Sequence, residues 1–428
     1  VTQLGLDPSA VLADLDELAA ASGGRFAGAQ RLAWSPDWLA ARAWLRDKLG
    51  AIGLTASEDV AGNLWATVPG DAEEFVVVGS HIDAVPDGGW LDGALGLLTA
   101  LETVRQLARS ETPAPLSVRF VDWADEEGAR FGRSLLGSSA CAGTLVPDDV
   151  RSLRDAGGTT LGDALSACSV DLDLAPGATA SLQGAIAYLE LHIEQGPVLL
   201  DSGRLAAAVS GTVGVERHLL TFSGQAAHAG STPMRLRRDT LAAAAQATLA
   251  IRESAIARGG VATVGNLRST PGVITAVAGR TEMQLDQRHL DAGVLATMLD
   301  DALTACRSAA EAFDCELEVH RIFAATPTPF HPALVAAARS ALRDAGGGDG
   351  PPIPSGPLHD ATEIGRVLPT AMIFARSDPP LSHAAIEDSP EDALRIAIDS
   401  YGRTVSYVLA RGPALFGAAE TEAERITP

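Results

Sequence analysis

Three apolar runs in this 428-residue chain end in side chains able to hold a metal ion, and no other feature constrains the fold as strongly. The first, Phe75-Val76-Val77-Val78, runs into Gly79-Ser-His-Ile-Asp83 and then through Leu91-Asp-Gly93 to an amphipathic stretch from Ala94 to Leu107. The second, Leu116 to Trp123, is followed by Asp125-Glu-Glu-Gly128. The third, Ala185 to Ile193, carries His192 and leads into Glu194-Gln-Gly196. Short apolar runs bounded by turn residues read as buried strands, and their alternation with helices predicts an α/β fold with a mostly parallel sheet. Such sheets place ligands beyond the carboxyl ends of their strands, where these residues stand.

The rest of the chain completes this frame and adds a second one. Helices are expected over Pro8–Ala21 and Pro36–Leu49, with a strand over Asn63–Val68. From Asp148 to Ser181 only loop and short helix are expected. Around Gly211 the pattern changes to one-sided strands: Val213–Phe222, Ala262–Leu267, Gly272–Val277, Thr281–Arg288 and Cys315–Ile322. Helices over Arg238–Ala257 and Ala292–Phe313 interrupt them. This β-α-β-β-β-α-β order predicts an inserted α+β domain with a small antiparallel sheet. A helix from His331 to Ala345, a strand over Thr370–Phe374 and the loop with His383 return to the first domain. The expected division is 1–210, 211–326 and 327–428, the outer two segments forming one domain.

Composition narrows the partners. A net charge of −22 repels phosphate backbones and anionic lipid, so neither nucleic acid nor a membrane surface is an expected partner. The four cysteines form no C-x-x-C pair, which fits reduced thiols. The first residues, Val-Thr-Gln-Leu-Gly-Leu-Asp, have no signal-peptide pattern, and a cytoplasmic location is expected.

The candidate ligands are His81, Asp92, Glu126, Glu127, His192, His359 and His383. Imidazole and carboxylate without thiolate suit Zn²⁺, and less selectively Mn²⁺, Co²⁺ or Ni²⁺. A bridging carboxylate can hold two ions about 3.5–4 Å apart. Of the adjacent acids Glu126 and Glu127, one can bind metal while the other stays free as a general base. Asp83, two residues past His81, is expected to orient that imidazole. A lone His–x–Asp more often satisfies a loop backbone, and a lone Asp-Glu-Glu is usually a solvated face. Their joint occurrence at three strand ends is what argues for a site.

These motifs, with Glu126-Glu-Gly-Ala-Arg-Phe131, Glu190-Leu-His-Ile-Glu-Gln-Gly196 and His228-Ala-Gly-Ser-Thr-Pro-Met234, resemble the M20 metallopeptidase superfamily. Within it they resemble the amidase branch of N-carbamoyl-L-amino acid amidohydrolases, β-ureidopropionases and allantoate amidohydrolases. The resemblance implies a two-zinc catalytic domain and an inserted ferredoxin-like lid that also dimerises. By matching motifs, His81 and His192 would hold one ion, Glu127 and His383 the other, and Asp92 would bridge. Glu126 would activate the water and then protonate the leaving nitrogen. His228 would reach into the partner subunit's site to stabilise the oxyanion. Gln195 and Arg288 would contact the substrate, Arg288 clamping a carboxylate in bidentate fashion.

Two departures bear on the substrate. Thr275, in Pro271-Gly-Val-Ile-Thr-Ala-Val-Ala-Gly279, stands where the branch has a substrate-binding asparagine. Leu358, in Ser355-Gly-Pro-Leu-His-Asp360, replaces a glycine whose backbone would approach the substrate. Ala84 also replaces a usual threonine. The expected function is metal-dependent hydrolysis of a linear C–N bond in an N-carbamoyl or ureido compound, or a related N-acyl amide. The rivals are an aminoacylase or dipeptidase of the same superfamily, and a non-catalytic dimeric binding protein.

Overall fold

The computed structural model describes residues 4–415; the ends of the expected outer segments, 1–3 and 416–428, lie outside the described residues. The chain divides into two compact units, one built from residues up to Gly211 and from Phe330 onward, the other Thr212–Pro329.

The first unit is organised on a sheet whose strands lie in the order Leu64–Val68, Leu116–Trp123, Ala72–His81, Ala185–Ile193, Thr370–Ala375 and Ala206–Thr212. The four inner strands are parallel, and the first and last run antiparallel to their neighbours. A strand covered on both faces needs apolar residues throughout. Thr370–Ala375 is buried at every position, and Phe75–His81 likewise. Asp7 and Ser35 cap the helices Pro8–Ala21 and Pro36–Ala51 with side-chain oxygens, each helix having proline at its start. The helix Ala94–Arg109 is buried from Ala94 to Val104. It lies tight on the sheet because a Cβ at Gly96 would stand 2.0 Å from the Leu191 carbonyl oxygen. All four cysteines are free. Among the described residues, no helix is long and apolar enough to cross a membrane.

The second unit has a four-stranded antiparallel sheet in the order Glu316–Ala325, Gly214–Ser223, Arg280–His289, Val261–Thr270. The helices Thr240–Ala257 and Ala292–Ala312 pack on it through Ala243, Ala244, Ala247, Ala302, Cys306 and Ala309. The order is therefore β-α-β-β-α-β, a split βαβ arrangement.

The expected strand over Gly272–Val277 is not one. Only Ala276 and Val277 pair, against His228 and Ala227, and Gly272 has φ +71° at the start of a turn. Glycine takes that conformation at little cost, and it ends the extended run. Among the elements absent from the sequence reading, two matter most for the first unit. Ala206–Thr212 is alanine-rich and weak in strand propensity, and the helix Glu391–Arg411 completes the first unit near its end.

Candidate metal centre

His81 and His192 end two neighbouring parallel strands, so their rings emerge side by side with centroids 5.9 Å apart. His81 Nδ1 lies 3.1 Å from the Asp83 carbonyl oxygen, and His192 Nδ1 lies 2.9 Å from that of Ile193. A carbonyl only accepts, so each Nδ1 carries the proton and each Nε2 presents a lone pair. Both Nε2 atoms are buried without a hydrogen-bond partner, as is Glu127 Oε1. Buried polar atoms rarely stay unpaired, and pinning the far nitrogen to a carbonyl is how proteins orient metal-ligating histidines.

Among the described residues, two groups of ligand-capable atoms form, each within 4.8 Å: His81, Asp92 and His192, and Asp92, Glu127 and His383. Asp92 belongs to both. Its Oδ1 is 3.2 Å from His192 Nε2 and its Oδ2 is 3.4 Å from His383 Nε2, which is itself 3.3 Å from Glu127 Oε2. Ligands about 2.0–2.1 Å from a tetrahedral ion stand about 3.3 Å apart, so these separations fit a divalent cation. The first group is buried throughout, whereas the His383 side chain is 52 % exposed.

Adjacent residues on an extended strand face opposite ways, yet Glu126 and Glu127 both turn inward. The strand has ended at Trp123, and Asp125 takes φ +57°, its carboxylate held by Trp34 Nε1 at 2.7 Å. The Asp83 carboxylate then accepts the backbone N–H groups of Glu126 and Glu127, each at 3.2 Å. Asp83 thus does two jobs: its carbonyl orients His81, and its carboxylate shapes the Glu126–Glu127 turn. Glu126 Oε2 lies 3.7 Å from His81 Nε2 but belongs to neither ligand group.

Electrostatics reflect this crowding. Burial pushes His81 down to about 3. Burial also opposes charge on His192, but the Asp92 carboxylate 3.2 Å from its Nε2 outweighs it and lifts the ring to about 9. Asp92 is held well below the usual carboxylate range: burial works against its charge, and the His192 ring more than offsets it. Burial raises Glu126 well above that range, with Glu127 adding to the effect. Burial raises Glu127 likewise, helped by Asp92.

Gln195 turns its Nε2 onto Asp92 Oδ2 at 2.9 Å and onto Ser382 Oγ at 3.1 Å, leaving a buried Oε1 without a partner. The His359 ring lies tilted at 57° against His192 with centroids 4.4 Å apart and joins neither ligand group. Its Nε2 is 3.0 Å from Ser355 Oγ, which gives its own proton to the Pro357 carbonyl. Leu358 is half-buried in the turn before the Asp360–Ile364 helix. His228, Thr275 and Arg288 belong to the second unit. There His228 Nδ1 accepts the N–H groups of Gly230 and Ser231, at 3.1 and 3.2 Å, so its Nε2 carries the proton. Thr275 is exposed, and Arg288 Nε donates to Asp286 Oδ1 at 2.8 Å.

Three residues near the cluster had no sequence signal beyond proximity. Arg31 is fully buried, donates to the Ile82 carbonyl at 2.7 Å and lies in the field of Asp83, Asp92, Glu387 and Glu127. Glu387 and Ser382 surround Asp92, and Ser382 Oγ reaches carboxylates of both Asp92 and Glu387. One hydroxyl proton cannot serve two carboxylates fully, in keeping with Glu387 being pushed up to about 7 by burial and by Asp92.

Gly93 makes the cluster sterically possible. Its φ of +65° with ψ of −45° is open only to glycine, and a Cβ there would stand 2.4 Å from His81 Cε1. Gly93→Ala is expected to displace the His81 ring and weaken metal uptake about 10–100-fold, the range seen when a ligand loses its support. Competition with a chromogenic chelator measures this; wild-type affinity would show that the ring has room to move.

Residues 77–407 match the model of Peptidase family M20/M25/M40. The chain is 35 % identical over 390 residues to an N-carbamoyl-L-amino acid amidohydrolase from Geobacillus stearothermophilus, covering 90 % of this chain and 94 % of that one. It is 35 % identical over 365 residues to an allantoate amidohydrolase from Escherichia coli, covering 84 % and 88 %. A solved amidase of the hydantoinase/carbamoylase family from Burkholderia multivorans superposes with a TM-score of 0.85 at 30 % identity, over 96 % of this chain and 99 % of that one. The match over most of the chain places it: this protein belongs to Peptidase family M20/M25/M40.

Proposed function

We propose that this protein is a metal-dependent amidohydrolase that cleaves the linear C–N bond of an N-carbamoyl (ureido) amino acid or a related N-acyl amide. One observation carries the reading: two ligand groups share Asp92, and Glu126 lies beside them outside both. Relatives that are N-carbamoyl-L-amino acid and allantoate amidohydrolases support the substrate class.

His81, Asp92 and His192 would hold one divalent ion and Asp92, Glu127 and His383 a second, zinc being the best match for imidazole and carboxylate. When bound, such ions supply Lewis acidity that polarises the scissile carbonyl and acidifies water. Glu126 takes the proton of the attacking water and returns it to the leaving nitrogen as the C–N bond breaks. Gln195 offers its unpartnered Oε1 to a substrate N–H. His228 presents Nε2–H as a donor for the developing oxyanion, and Arg288, oriented by Asp286, clamps the substrate carboxylate.

In this reading the inserted unit is a lid that also dimerises, with His228 serving the partner subunit. Support comes from Leu241, Leu249 and Ile256, which leave an apolar stripe exposed along one helix. Val319, Ile322 and Phe323 are exposed on the edge strand of the same unit.

Metal-loaded protein incubated with N-carbamoyl, ureido and N-acyl compounds is expected to release ammonia, carbon dioxide and an amine from the carbamoyl substrates. Absence of turnover on the whole panel would sink the proposal. Release of a free carboxylic acid instead would favour the aminoacylase or dipeptidase reading, which Thr275 and Leu358 keep in play.

A further inference from the structure

We infer that Glu387 is the positioning residue that sets Asp92 and His383 together, an inference that rests on the metal centre proposed above. Glu387 follows His383 by four positions and is fully buried. Its Oε1 accepts the backbone N–H groups of Leu91 at 3.3 Å and Asp92 at 3.0 Å. These amides belong to Asp92 and the residue before it, just ahead of the Ala94–Arg109 helix. Its Oε2 bonds Ser382 Oγ, and Ser382 Oγ lies 2.9 Å from Asp92 Oδ2. One carboxylate therefore holds the main chain at Asp92, touches the residue next to His383, and closes the loop through Ser382 back to Asp92.

The site is built to receive that carboxylate. A Cβ on Gly89 would fall 1.9 Å from Glu387 Oε1 and 2.0 Å from its carboxyl carbon, so the glycine leaves the space the head group occupies. Gly89 does not require a left-handed backbone, so its absent side chain serves the approach of Glu387 rather than a turn.

The two ligand groups depend on this residue unequally. The Asp92–Glu127–His383 group has two members supported by Glu387, whereas the His81–Asp92–His192 group has one. Residues that support metal ligands typically change affinity about 10–100-fold when removed. Glu387→Ala is therefore expected to weaken one of the two ions by that factor and the other several-fold less. Glu387→Gln keeps an oxygen for the two N–H groups and an amide donor for Ser382, and should restore most of the loss. Gly89→Ala, which expels the carboxylate without altering it, should reproduce the Glu387→Ala defect. Ser382→Ala should give a smaller loss at the same ion.

Zinc titration of the full-length protein against a chelator of known affinity, with thermal unfolding alongside, reads all four variants. Unequal loss with rescue by glutamine supports the inference, because a general loss of stability lowers both ions together. Equal loss at both ions, or wild-type affinity in Glu387→Ala, overturns it. If Glu387→Ala fails to fold, Gly89→Ala and Ser382→Ala decide in the same terms. A wild-type protein that takes up no zinc would overturn the metal centre itself, a result distinguishable from an undiminished Glu387→Ala.

Discussion

Replacing Glu126 by glutamine is expected to lower turnover by about 10²–10⁴-fold, the usual contribution of a positioned proton acceptor. Metal content should stay at the wild-type level. The two halves of this expectation have separate structural causes. Glu126 lies outside both ligand groups, so losing its charge removes no ligand. Its Oε2 is nevertheless 3.7 Å from His81 Nε2, close enough to serve a water held there. Its backbone is fixed by Asp83, so an isosteric glutamine keeps the same place. Steady-state kcat alongside metal analysis checks the result. A variant keeping more than a tenth of the activity would remove Glu126 as the base and revive a binding role for the protein. A variant that also loses metal would make Glu126 a ligand.

The second large effect is expected at Asp92. Each ligand group has three members and Asp92 is in both, so Asp92→Ala should impair both ions at once. His192→Ala and His383→Ala should each act mainly on one. Because Lewis-acid stabilisation is worth several kcal/mol, activity in Asp92→Ala should fall at least about a thousandfold. Metal stoichiometry after gel filtration distinguishes these cases, and two equivalents retained in Asp92→Ala would refute the shared-carboxylate arrangement. The same geometry orders the response to chelators. His81 and His192 are buried, while His383 is half exposed, so the ion on the His383 side should leave first.

The strand ends were legible because they are local. Phe75–Val78 is an uninterrupted apolar run, Leu116–Trp123 and Ala185–Ile193 are mostly apolar, and the chemistry at their ends follows within a few residues. The inner strands being parallel followed from their alternation with helices. The turn at Gly272 was not legible as a turn, since Val273 and Ile274 read as strand residues while lying exposed at its tip, Ile274 at 98 %. Ala206–Thr212 was missed for the opposite reason: its alanines carry no strand signal, and its place in the sheet comes from pairing with Thr370–Ala375.

The sequence by itself determined which chemistry was available: imidazoles and carboxylates at strand ends, no thiolate pair, and a motif set shared with one enzyme family. Only the tertiary structure decided how those groups meet. Asp83 reaches across 43 residues to turn both Glu126 and Glu127 inward, and Glu387 reaches back across 295 residues to hold the amide of Asp92. Such contacts depend on which strands lie side by side in the sheet. That order arises from packing over the whole chain, and the local periodicity that reveals a strand carries no record of its neighbours.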